Sequence, residues 1–232
     1  MAVNNRPEKV RLNKFLAERV GLSRREADDL IAAGKVLVDG SPATLGARID
    51  KNSKVCYNGK YIPFDVGYSC LMLNKPVGYV SSRRRQGTTP TLYELLPGQY
   101  QSLKTVGRLD KDSSGLLLLT NDGDFAYQMT HPKFVKVKVY EVLLDRPLEP
   151  LHQQMIADFG VDLPDGHSQL GLVALSDDRR RWQVTMSEGR NRQIRRTFAA
   201  LGYSVVKLHR IAFGPYTLDD LAEGKYRTVK KI

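Results

Sequence analysis

The chain has 232 residues, 41% of them hydrophobic, enough to bury a sizeable core in one large or two unequal domains. Lys and Arg number 36 against 25 Asp and Glu, a net charge of +11 that points to a polyanionic partner, nucleic acid ahead of an acidic lipid surface. Two cysteines without a CxxC pair and four scattered histidines argue against a disulfide framework or a metal centre, no apolar run reaches the ~20 residues of a membrane span, and MAVNNRPEKV has no apolar signal core, so the cytoplasm is the expected compartment.

Residues 1–62 read as a small module. In RLNKFLAERV, the spacing of Leu12, Phe15, Leu16 and Val20 predicts a helix with one buried stripe. In GLSRREADDLIAAGKV, Ser23 with Glu26 three residues on is a capping box that starts a second helix. Ala27, Leu30 and Ile31 continue its apolar face, and Gly34 is a stop. Val36–Val38 followed by Asp39-Gly40 predicts a strand and a tight turn, and Asn58-Gly59 within KVCYNGKY predicts another. This stretch, RLNKFLAERVGLSRREADDLIAAGKVLVDG, resembles the small S-four-type RNA-binding domain of some ribosomal proteins and RNA-modifying enzymes. The resemblance implies phosphate contacts from Arg11, Lys14, Arg24, Arg25 and Lys35. Solvated helix faces are the plain alternative. Against it, Arg24 and Arg25 fall in the first turn of a capped helix, where cations oppose the helix dipole.

Residues 63–68 read as a linker and 69–232 as a second domain. LMLNKP, GLLLLT, VYEVLL and WQVTMS are strand candidates. NDGDFAYQMTHP, EPLHQQMIADFG and NRQIRRTFAALG are helix candidates. The mixture predicts an α+β fold, with a mixed, largely antiparallel sheet flanked by helices. Arg83, Arg84 and Arg85 form a basic run, read as a mobile loop over RNA.

The segment most informative about chemistry is GRLDKDSSGLLLLTNDG, residues 107–123. Asp110 precedes a fully apolar strand, so its carboxylate is held at the rim of a core, where a preorganised reactive group belongs. An opposite charge such as Arg108 favours the ionised form of a nearby carboxylate. On the residues alone, a turn-capping aspartate remains open beside a catalytic one. Tyr140, in an alternating strand, equally reads as core. Arg190, Arg192, Arg195 and Arg196 crowd one segment, and Arg192, Arg195 and Arg196 would share a helix face. Like charges there repel, so partners are expected: Asp110 for one, RNA phosphates for the others.

GRLDKDSSGLLLLTNDG is similar to the active-site signature of the bacterial ribosomal-RNA pseudouridine synthases of the Rsu class. LNKPVG, KVYEV and EGRNRQIRRTFAALG resemble further motifs of that class, in the same order along nearly the whole chain. The resemblance implies catalysis by Asp110, with Tyr140 stacking on the target base and Arg195 pairing with the aspartate. It implies RNA contacts from Arg108, Arg190, Arg192 and Arg196, no cofactor and no metal. The implied reaction is isomerisation of a uridine in ribosomal RNA, and wording such as SRREADDLIAAGKVLVDG favours the large-subunit RNA. The implied partner is ribosomal RNA or a pre-ribosomal particle, met by a monomer without membrane attachment. A non-catalytic RNA-binding or ribosome-assembly protein is the alternative, and it would not need Asp110, Tyr140 and Arg195 together. A nucleotide-dependent enzyme is disfavoured, since neither GxxxxGK[ST] nor a strand-linked GxGxxG occurs.

Overall fold

The computed structural model describes residues 9–64 and 67–232. Residues 1–8, read above as lacking a signal core, and residues 65–66 of the expected linker lie outside the described residues. The chain divides into two units. The first runs to Ser69 and also takes Gly98–Lys104 and Thr120–Gly123. The second comprises Cys70–Pro97, Thr105–Leu119 and Asp124–Ile232. The linear division read from the sequence does not foresee these two later segments.

In the first unit, β1 (Val10–Arg11) leads into α1 (Leu12–Arg19) and then α2 (Arg24–Ala32). The capping box forms as its chemistry requires. The Ser23 hydroxyl accepts from Glu26 N–H at 3.1 Å, and the Glu26 carboxylate accepts from Ser23 N–H at 2.7 Å. α2 ends in a Schellman pair, with Lys35 N–H on Leu30 C=O and Gly34 N–H on Ile31 C=O, both at 3.0 Å. Then follow β2 (Val36–Val38), β3 (Ser41–Pro42), β4 (Arg48–Ile49), β5 (Val55–Tyr57) and β6 (Lys60–Ile62). β1 pairs with β4, and the others form an antiparallel sheet in the order β3-β2-β5-β6. Asp39-Gly40 and Asn58-Gly59 have left-handed φ at both positions, the type I′ geometry that closes a two-residue hairpin. Leu12, Phe15, Leu16, Ala27, Ile31, Val36, Ile49 and Val55 form the core, while Val20 and Leu30 lie half-buried at its margin.

The second unit carries β7 (Cys70–Lys75), β10 (Lys138–Leu144) and all but one end residue each of β8 (Lys104–Val106), β9 (Ser114–Thr120) and α3 (Gly123–Thr130). Next come α4 (Pro150–Gln154), a π turn over Met155–Phe159, β11 (Val161–Leu163), β12 (Gly166–Ser168), β13 (Gly171–Ala174) and β14 (Arg181–Met186). α5 (Gln193–Ala200), β15 (Val205–Phe213), β16 (Tyr216–Thr217) and β17 (Tyr226–Thr228) complete it. The main sheet runs β13-β14-β10-β15-β9-β7-β17. β10 is antiparallel to both β14 and β15, and β15 is parallel to β9. The fold is therefore α+β with a mixed sheet. Every residue of β9 is buried, which explains why its Leu116–Leu119 run does not alternate. Each of those leucines contributes roughly 1.5–3 kcal/mol on burial, so the strand is a fixed rail. The sequence before it, which holds Asp110, starts from that rail.

Candidate active site

The loop that carries Asp110 is held from three directions. Ser113 N–H donates to Asp110 C=O at 3.1 Å, which closes a turn. The Ser81 hydroxyl donates to Leu109 C=O at 2.8 Å and accepts from Leu109 N–H at 3.2 Å, while Gly78 N–H donates to Lys111 C=O at 2.7 Å. The third brace is Lys75 at the end of β7. Its ammonium is fully buried and donates to Ser113 C=O at 2.7 Å and Pro76 C=O at 2.8 Å. Burial pushes the Lys75 pKa down to about 8, against the opposing pull of the Asp110 and Asp112 carboxylates.

Asp110 faces a cavity of about 700 Å3, within the size range of nucleotide-sized ligand sites. Arg108, Tyr140, Lys138, Arg190, Arg192 and Arg210 line it as well. A second depression, lined by Ser81, Gln86, Lys111 and Asp112, shares Arg108, Asp110 and Arg192 with the first, so Asp110 stands where the two meet. Tyr140 projects from β10 and is only 7% exposed. Its strand neighbours are Val184 on β14 and Arg210 on β15.

The cationic partners differ from the helical phase expected above. α5 begins at Gln193, so Arg192 lies before the helix and shares no face with Arg195 and Arg196. Arg192 has φ 48°, a left-handed backbone uncommon for a residue with a side chain. That conformation sends its guanidinium to the carboxylates: Nη1 lies 3.5 Å from Asp110, and both Nη atoms bind Asp112 at 3.0 and 2.9 Å. Arg195, expected on Asp110, instead meets Asp112. Its Nε lies 3.3 Å from the Asp112 carboxylate, and Nη2 donates to Asp112 C=O at 2.8 Å. Its Nη1 donates to Val205 C=O at 2.6 Å, so β15 fixes its reach. The two guanidinium groups hold the Asp112 carboxyl below its ordinary range.

Arg190 and Arg196, expected on RNA, have protein partners. Arg196 is bidentate on Asp165 at 2.9 and 2.7 Å, and Arg190 reaches Asp165 at 3.1 Å together with Gly166 C=O and His167 C=O. They tie the β11–β12 hairpin to α5. Arg83 lies over the Tyr93 ring at 4.9 Å and Arg85 pairs with Glu94 at 2.6 Å, so two of the three exposed arginines of the basic run have protein partners. In the first unit, Arg11, Arg24, Arg25 and Lys35 are exposed and Lys14 is half-buried.

Two residues escaped the sequence reading. Lys75 ends a fully buried strand, an unusual place for a lysine and a usable signal. Arg210 is 2% exposed and sits on β15 as the cross-strand neighbour of Tyr140. Its Nε donates to Leu116 C=O at 2.7 Å, its guanidinium lies 4.8 Å from the Phe213 ring centroid, and Nη2 is buried without a hydrogen-bond partner. No carboxylate pairs with it among the described residues. A buried cationic donor left unsatisfied costs free energy, which a ligand acceptor would recover.

A carboxylate beside an aromatic wall, ringed by guanidinium groups, suits a substrate that is both polyanionic and ring-bearing. The fold and this site define an RNA-modifying enzyme with a separate RNA-binding unit. The chain belongs to the RNA pseudouridylate synthase family, whose model matches residues 69–200; an S4 domain model matches residues 10–55. The ribosomal small subunit pseudouridine synthase A of Pasteurella multocida is 39% identical over 230 residues, covering 95% of this chain and 96% of that protein. The protein of the same name from Escherichia coli K12 is 38% identical over 224 residues, covering 94% and 95%. A solved structure described as a crystal structure of pseudouridylate synthase is 35% identical, with a TM-score of 0.68 over 95% of this chain and 96% of its own. The chain is thus an isomerase of the Rsu class, and the non-catalytic alternative falls.

Proposed function

We propose that this protein converts one specific uridine of small-subunit ribosomal RNA to pseudouridine, with Asp110 as the catalytic carboxylate. The large-subunit preference drawn from motif wording is withdrawn, because the Pasteurella multocida and Escherichia coli K12 relatives, which cover 95% and 94% of the chain, carry small-subunit names. The observation that carries the site assignment is the position of Asp110. It is 30% exposed at the meeting of two depressions, with Arg192 at 3.5 Å and Tyr140 in the wall of the same cavity.

The reaction breaks the N1–C1′ bond of uridine, turns the base, and forms a C5–C1′ bond. The C5 proton is lost and N1 regains one, so atoms and electrons balance without redox change or hydrolysis. Asp110 attacks the nucleotide or removes a proton from it, and both roles need an everted base. The Tyr140 ring holds the detached uracil by stacking. Arg192 aims Asp110, and Arg195 aims Arg192 through Asp112, which both grip. Arg210 offers Nη2 to a uracil carbonyl as charge builds on the departing base. Arg190 and Arg196 brace the wall, and Arg108 meets phosphate at the mouth. Arg11, Lys14, Arg24, Arg25 and Lys35 supply phosphate contacts from the first unit. The protein acts as a monomer on ribosomal RNA or a pre-ribosomal particle in the cytoplasm. Among the described residues, no helix is long and apolar enough to cross a membrane.

Pseudouridine mapping of ribosomal RNA from cells with and without the gene tests this reading. Deletion should remove a single small-subunit pseudouridine. The parental gene should restore it, and Asp110→Asn should not, with turnover down roughly ten-thousandfold or more and RNA affinity retained. A modification map unchanged by deletion, or near-parental turnover by Asp110→Asn, would reject it.

A further inference from the structure

Beside the cavity lies a group of aromatic rings that the reaction does not use. α3 presents Tyr127, 46% exposed, and the following turn Pro132–Phe134 presents Phe134, 37% exposed. The Tyr127 ring centroid lies 4.7 Å from that of His131 and 5.8 Å from that of Phe134. Lys133 Nζ stands 5.2 Å from the Tyr127 centroid and 4.7 Å from the Phe134 centroid. Val135 and Val137 extend the apolar surface into solvent. Folding gives no reason to hold this many apolar groups together in water, and such patches mark interaction sites.

The loop is also rigid. Phe134 N–H donates to His131 C=O, Val135 N–H to Pro132 C=O, and Gly214 N–H to Val137 C=O. His131 Nδ1 accepts from Lys133 N–H at 3.3 Å. Val135 has φ 45°, a left-handed conformation that a β-branched residue holds only when its surroundings impose it. The rings are therefore set before any ligand arrives. Moreover, His131, Pro132, Val135 and Lys136 line the cavity that contains Asp110. A uridine everted onto Asp110 leaves its chain neighbours at this rim.

We propose that Tyr127, His131 and Phe134, with Lys133, form a stacking platform for an unpaired nucleobase adjacent to the target uridine, Lys133 meeting its phosphate. The proposal rests on the reading of the cavity as the uridine site. Exposed π faces flanked by one cation match a base and its phosphate, and such stacking tolerates any base. Specificity would then reside elsewhere, and the platform would contribute affinity and register.

The test compares the parental protein with a Tyr127→Ala, Phe134→Ala double variant. Both are irradiated with a short oligouridylate containing 4-thiouridine, and crosslinked peptides are identified by mass spectrometry. Crosslinks should fall within residues 125–137 and drop about fivefold or more in the variant. With unmodified small-subunit ribosomal RNA as substrate, the variant should need about tenfold more RNA for half-saturation, while the saturated rate stays within about twofold. Tyr127→Phe should behave as the parental protein. Crosslinks confined to other segments, an unchanged half-saturation, or a loss accompanied by a lowered thermal midpoint each overturn the platform. If the parental protein forms no pseudouridine at all, the cavity reading fails, and the crosslinks still decide the platform.

Discussion

Arg210 sets a guanidinium where neither packing nor ion pairing accounts for it. Among the described residues its side chain is held by the Nε bond to Leu116 C=O and by its place over the Phe213 ring, and Nη2 is buried without a partner. A buried polar group normally finds its hydrogen bonds within the fold, and the exceptions concentrate where a ligand completes them. Arg210→Lys keeps a positive charge of similar reach but loses the fork. Turnover at saturating RNA should fall roughly a hundredfold, the scale seen when one preorganised donor to a developing charge is removed, while half-saturation changes little. Arg210→Met also removes the Nε bond and should lower the melting temperature, which the Lys variant should largely spare. Parental turnover by Arg210→Lys would show that the fork is not used. The contrast with Arg195 is instructive at the same scale. Arg195 commits both Nη atoms to Val205 C=O and Asp112 C=O and lies against the Asp112 carboxylate, so it acts by fixing other groups.

At the scale of elements, the site depends on how closely β9 and β15 run in parallel. Their register joins His209 to Ser114 and Arg210 to Gly115. Gly115 has φ 106°, and a Cβ built there would lie well inside contact distance of the Arg210 backbone N, C and O atoms. Gly115→Ala therefore forces two central strands apart in addition to straining its own backbone. Loss of more than ~4 kcal/mol is expected in urea unfolding, because overpacking and strain act on one buried pair. Turnover should fall with it, since Arg210 moves with β15. A variant as stable as the parent would show that the strands can separate at no cost. The elements legible in the sequence were those fixed by local chemistry. The Ser23–Glu26 capping box, the Asp39-Gly40 and Asn58-Gly59 turns and the leucine run of β9 each specify their own geometry within a few residues. The pairing of the arginines was not legible in this way. A helical phase placed Arg192, Arg195 and Arg196 on one face, whereas the helix begins only at Gln193, after the left-handed Arg192, and Arg192 and Arg195 both reach Asp112 while Arg196 turns to Asp165. Asp165, some thirty residues before Arg196, claims two of the cations through a tertiary contact that no spacing reveals. Arg210 was hidden for a related reason, because an arginine in an alternating strand reads as solvent-facing until the neighbouring strand covers it.

For the whole molecule, the net charge of +11 is distributed between two uses. In the second unit, many cations near the cavity are spoken for: Arg192 and Arg195 by Asp112, Arg190 and Arg196 by Asp165. In the first unit, Arg24 and Arg25 are exposed and have no ion-pair partner among the described residues. They sit in the first turn of α2, where the dipole disfavours them and where Glu26 already supplies the cap. Folding therefore gains nothing from them, which agrees with the phosphate contacts proposed for them. Replacing both by Glu separates the two accounts, because the signs oppose. Acidic side chains at a helix N-terminus should leave stability unchanged or raise it, by about 0.3–1 kcal/mol each. RNA affinity should fall, and the slope of log K against log salt should become shallower by about 1.5, the sum for two phosphate contacts. Salt titrations with ribosomal RNA and thermal melts on the same protein measure both quantities. A parental slope in the Arg24→Glu, Arg25→Glu protein would take this helix end out of the RNA interface, and a lowered melting temperature would mean the two arginines serve the fold after all.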